Sequence, residues 1–111
     1  MDKKELKEQY KNRKIIGGIY TIKNKHTGKR FLDATVNLQG IKNRFEFSKR
    51  NKTCIYHKLK EDWTEGGPEI FEFEVLEEIT QGETQTDAEF KEDVALLKEI
   101  WLEKLSGQEL Y

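Results

Sequence analysis

Two strand-like runs, residues 17–24 and 29–36, are separated only by Lys25-His26-Thr27-Gly28, a short polar link ending in glycine, which predicts a β-hairpin with a four-residue loop. The loop also sets the register. With Asn24 opposite Lys29, Ile22 falls opposite Phe31 and Tyr20 opposite Asp33, and the two-residue side-chain period puts all four on one face. Two triplets, Gly18-Ile19-Tyr20 and Phe31-Leu32-Asp33, are thereby brought together.

Downstream, Leu38, Ile41 and Phe45 recur at helical spacing, predicting a helix from Leu38 to about Arg50. Ile55, Leu59 and Trp63 predict a second, from about Thr53 to Trp63, stopped by Gly66-Gly67-Pro68. Ile70-Phe71-Glu72-Phe73-Glu74-Val75-Leu76 alternates apolar and acidic residues as a half-buried third strand does. Thr86-Asp87-Ala88-Glu89 has the form of a capping box, opening a last helix in which Phe90, Val94, Leu97, Trp101 and Leu105 form the apolar stripe. The charged stretch Asp2–Lys14, with Leu6 and Tyr10 four apart, predicts a short helical extension over residues 1–16. The expectation is one α+β domain over 1–111, with its core at about 17–105 and the order β-β-α-α-β-α.

Composition limits the function classes. With 37% charged and 35% hydrophobic residues, 111 residues give one thin-cored domain. A single cysteine, Cys54, excludes an internal disulfide, and no apolar run reaches the ~18 residues of a membrane span. No secretory leader is evident, so a cytoplasmic location and no membrane partner are expected. The net charge of −1 hides a polarity: residues 1–60 hold 17 Lys and Arg against 5 Asp and Glu, whereas 61–111 hold 3 against 16. A basic half attracts polyanions, because neutralised phosphates release counterions. The alternative is that the two halves neutralise each other within the domain.

The paired triplets, with eleven residues from Tyr20 to Phe31, resemble the signature of the GIY-YIG nuclease superfamily. Gly18-Ile19-Tyr20-x-Ile22-x-Asn24 and Gly28-Lys29 carry the resemblance, supported by Phe71–Glu78 as third strand and Trp101–Leu105 as closing helix. It implies a three-stranded antiparallel sheet flanked by helices. It also implies phosphodiester hydrolysis, in which a base activates water, a cation grips the phosphate and a carboxylate holds Mg2+ or Mn2+.

Set against that pattern, only Tyr20, the candidate base, carries over. Phe31 stands at the second tyrosine and cannot donate a hydrogen bond. Asp33 stands at the glycine, where its carboxylate opposes tyrosinate formation and repels phosphate, although it is also a conceivable metal ligand. The expected arginine falls on Ile41, leaving Arg44, one turn on, as candidate phosphate contact. The expected glutamate falls on Lys98, at the shoulder of the apolar stripe, while Glu99 points to solvent. An amine there could hold a phosphate directly.

The sequence thus predicts a divergent nuclease-like domain that binds nucleic acid, DNA in the first instance, with phosphodiester cleavage weak or lost. Lys29, Arg30, Lys42, Arg44, Lys49 and Arg50 are its candidate contacts, and no metal ligand is assigned beyond Asp33. Two alternatives stand beside it. One is an active metal-dependent DNA endonuclease with a rearranged site; the other is a protein-interaction domain that uses the acidic C-terminal half. His26, His57 and Cys54 lack partners at ligand or nucleophile spacing beyond the weak Cys54-His57 pair.

Overall fold

The hairpin forms as its loop dictates in the computed structural model, which describes residues 14–111. Strand β1 (Ile16–Asn24) and strand β2 (Arg30–Thr35) are antiparallel, with Tyr20 opposite Asp33 and Ile22 opposite Phe31. Asn24 closes the loop: its N–H donates to the Lys29 carbonyl at 2.8 Å, and its side-chain oxygen accepts from the N–H groups of His26 and Thr27. Gly28 supplies the left-handed backbone the turn needs, at φ 76°.

Helix α1 (Leu38–Arg50) follows, capped by Asn37, whose side chain accepts from the Gly40 N–H. A 3-10 turn, His57–Leu59, leads into helix α2 (Lys60–Gly66). Strand β3 (Phe71–Thr80) pairs antiparallel with the free side of β1, giving the sheet order β2-β1-β3. Helix α3 (Asp87–Lys104) opens with the predicted capping box at Thr86 and Glu89. The element order is β-β-α-α-β-α, and the fold is α+β. The predicted helical extension lies almost wholly outside the described residues.

Central strand β1 is covered on both sides, so Ile19, Tyr20, Thr21 and Ile22 are all buried. Alternation sends neighbours to opposite layers. Tyr20, Ile22 and Phe71 pack with Leu38 and Phe45 of α1 and with Leu59 and Trp63 beside and within α2. Ile19 and Leu32 pack on the other side with Leu97, Trp101 and Leu105. A register shift between Ile19 and Tyr20 in the β1–β3 ladder takes up one extra β3 residue.

One element departs from the sequence reading. No helix starts at Thr53: residues 53–56 form an irregular link, and the α-helix begins at Lys60. Lys52 adopts φ 55°, which ends helical geometry, and the Thr53 N–H donates to the Ser48 carbonyl of α1. β-Branched Thr53 and Ile55 add little helical preference to oppose this. The consequence for the site is large, because the link carries Tyr56 across the hairpin.

The C-terminal residues clasp the hairpin loop. Arg30 N–H donates to the Glu109 carbonyl and Tyr111 N–H to the Arg30 carbonyl, while the Tyr111 hydroxyl donates to Asp62 and accepts from the Asn24 amide. Burial first, and then Asp62, push the Tyr111 phenol up to about 12. A phenol that holds its proton more tightly when folded stabilises the fold below its unfolded pKa of 10.0, and that contribution fades as pH rises toward 12. Denaturant melts at both ends of this window should show a smaller alkaline loss for Tyr111→Phe than for the wild type. Equal losses would contradict the clasp's titration.

Candidate functional site

Tyr20 is the floor of the site. Only 1% exposed, its ring stacks on Phe73 with centroids 5.1 Å apart and planes 19° from parallel. Burial is the chief force raising its phenol pKa, and the Tyr56 hydroxyl and Asp33 carboxylate push the same way. Tyr20 therefore keeps its proton at neutral pH and presents a hydroxyl rather than a phenolate.

Tyr56 is the residue that sequence reasoning missed. Its ring lies 5.1 Å from that of Phe31, at 54°, and its hydroxyl faces Tyr20 closely enough for each to shift the other's titration. Burial raises the Tyr56 phenol as well, but here the Tyr20 hydroxyl and the Arg44 guanidinium act in the opposite direction. The Tyr56 hydroxyl is buried and makes no hydrogen bond of normal geometry among the described residues, although the Tyr20 hydroxyl is near enough to act on it as a weak donor. Leaving such a donor unsatisfied costs about 1–3 kcal/mol. The only sequence signal was a tyrosine in a segment whose periodicity suggested a helix, where it would have pointed elsewhere.

Asp33 and Lys98 form a second constellation. The Lys98 ammonium lies 3.1 Å from Asp33 Oδ1, which also accepts from the Ala34 N–H. Both side chains are 37% exposed, so the pair is worth only about 0–1 kcal/mol. Lys98 is half-buried and Glu99 exposed, as the helical phase requires.

The candidate cations do not share one surface. Arg44 is exposed on the flank of α1 and its charge is felt at Tyr56. Lys42 lies on the opposite flank at 100° per residue, near Lys49, and Arg50 points away from the sheet. Lys49 is turned inward, donating to the Phe71 carbonyl at 3.0 Å and lying over the Phe45 ring. Arg30, one residue before Phe31 and so on the other sheet face, approaches Glu74 at 3.6 Å, and Lys29 sits over the Tyr111 ring. Of the candidate cations, Arg44 is felt at Tyr56, and Lys98 contacts Asp33, the residue opposite Tyr20.

A divalent cation does not fit the donors present. Asp33 is engaged with an ammonium, and among the described residues no three His, Cys, Asp or Glu side chains converge. Cys54 donates to the Tyr56 carbonyl and His57 is exposed, so no Cys–His pair is formed.

Neither a protein-family model nor a curated protein sequence matches the chain. Two solved structures do match: the catalytic domain of homing endonuclease I-TevI and a point mutant of the same intron endonuclease domain. Each is 22% identical with a TM-score of 0.59; the first match covers 83% of this chain and 90% of that one, the second 82% and 84%. The fold is GIY-YIG-like, a three-stranded antiparallel sheet with three helices, as the hairpin signature led us to expect. Among the described residues no helix is long and apolar enough to cross a membrane.

Proposed function

Proceeding from a GIY-YIG-like fold, we propose that this domain is a nuclease-like module that grips the sugar–phosphate backbone of nucleic acid, DNA in the first instance, and cleaves it weakly or not at all. The observation that carries the reading is the Asp33–Lys98 contact at 3.1 Å. An amine stands where the resemblance expects the carboxylate that holds a cation, and it neutralises a carboxylate opposite Tyr20. A part-exposed pair of this kind opens at little cost, freeing the ammonium for a phosphate oxygen. Arg44 provides the second cation and, unlike Lys, can engage a phosphate through two parallel N–H groups.

Cleavage is weak in this reading because no carboxylate cluster for a metal is found among the described residues and burial opposes loss of the Tyr20 proton. Plasmid incubated with Mg2+ or Mn2+ should stay supercoiled. Metal-dependent nicking that disappears in Tyr20→Phe would overturn the non-cleaving part of the reading.

The backbone grip has its own test. Arg44→Ala should weaken duplex binding about tenfold and lower the salt slope by about one, as loss of one phosphate contact does. Arg30→Ala, which removes a charge already beside Glu74 on the other face, should change affinity little. Equal effects of the two substitutions, followed by fluorescence anisotropy, would contradict the placement of the grip at the Tyr20 face.

A further inference from the structure

We propose that Tyr56 supplies the phenolic hydroxyl that Phe31 lacks, contacting a backbone phosphate beside Arg44 from the link between α1 and α2. This rests on the reading that the Tyr20 face binds nucleic acid, and adds to it the residue that completes the contact. The ring of Phe31 keeps its packing place on β2, and the ring tilted against it at 5.1 Å carries the hydroxyl instead. The polar group has moved from the strand to the segment that crosses it.

Packing, environment and exposure converge on this role. Packing alone would be satisfied by phenylalanine at position 56, because the buried hydroxyl makes no hydrogen bond of normal geometry among the described residues. The hydroxyl faces Tyr20, and Arg44 and Asp33 both act on it electrostatically. Its surroundings thus include a cation able to fix a phosphate and the carboxylate that Lys98 neutralises. In this proposal a phosphate oxygen reaches the buried hydroxyl when the part-exposed Asp33–Lys98 pair opens. Tyr20 then serves as donor to the Tyr56 oxygen and Tyr56 as donor to the phosphate.

The test uses the full chain and a fluorescently labelled duplex at low salt. Tyr56→Phe should bind about tenfold more weakly with an unchanged or higher melting temperature, since only an unpartnered hydroxyl is lost. Phe31→Tyr added to Tyr56→Phe should restore most of the affinity, because it returns a hydroxyl to the same cluster. Wild-type affinity in Tyr56→Phe would overturn the assignment and leave the backbone-binding reading in place. So would weakened binding without rescue, or a lowered melting temperature, which would mean that the hydroxyl serves the fold. If the wild-type chain itself does not bind, the functional reading fails and this assignment with it.

Discussion

Gly18→Ala is expected to cost about 4–5 kcal/mol, enough to unfold much of a small domain at room temperature. Gly18 adopts φ +154°, and a Cβ built there meets the Glu77 carbonyl oxygen at 2.0 Å and its carbonyl carbon at 3.0 Å. Both obstacles are backbone, so no side chain can swing aside. β1 is also the central strand, hydrogen-bonded to β2 and β3, and cannot retreat from β3 without disturbing β2. The first glycine of the triplet is thus explained by the closeness of the β3 backbone. Gly28→Ala is the control: its φ of 76° is strained for alanine, but nothing lies within 4 Å, and a cost of about 1–2 kcal/mol is expected. Urea melts that rank the two equally would contradict this account of the strand centre.

Lys98→Glu should have the largest effect on binding, a loss of about 30-fold or more for duplex DNA. The substitution removes one of the two cations at the cluster and places a second carboxylate beside Asp33, doubling the repulsion felt by a phosphate. Two carboxylates so close cannot both ionise freely, so one acquires a raised pKa. Binding should recover partially on acidification, as the shared proton quenches one charge. Asp33→Asn, in contrast, removes the negative partner and frees Lys98, and should strengthen binding by a few-fold. Undiminished affinity in Lys98→Glu would remove the basis for phosphate contact at this position.

The parts of this molecule that local chemistry governs were readable from its residues. The Asn24–Gly28 turn fixed the hairpin register, and with it the Tyr20–Asp33 and Ile22–Phe31 pairs. Thr86 and Glu89 marked the start of α3 through a capping box, and the spacing of Leu38, Ile41 and Phe45 marked α1, whose cap at Asn37 the structure adds. The link before α2 was misjudged because Ile55, Leu59 and Trp63 keep helical spacing although Lys52 leaves helical geometry and Thr53 bonds back to α1. That bond spans only five residues and, with the Lys52 N–H donating to the Lys49 carbonyl, closes the end of α1, but lysine rather than the usual glycine takes the left-handed position, so the stop carries no clear mark in the sequence. Tyr56 was hidden for a longer-range reason: its place beside Phe31 follows from where the link crosses the sheet. The Asp33–Lys98 contact joins residues 65 apart, and only the substituted positions in the resemblance drew attention to either.

Charge gave a coarser message than the fold. The basic first half left two readings open, attraction of a polyanion or neutralisation within the domain, and the contacts of Arg30 with Glu74, Lys49 with the Phe71 carbonyl and Lys29 with the Tyr111 ring belong to the second. Composition alone does not say which basic residues find such neighbours. Among the described residues the candidate cations therefore do not form one broad basic face, and the proposed grip is confined to Arg44 and Lys98.

The salt dependence of wild-type binding to a labelled duplex tests the proposed grip most directly. Two phosphate contacts predict a slope of log affinity against log salt near −2, so raising salt from about 50 to about 200 mM should weaken binding roughly tenfold. Affinity that stays level across that range, or no binding at its low-salt end, would contradict a domain that holds nucleic acid by its backbone.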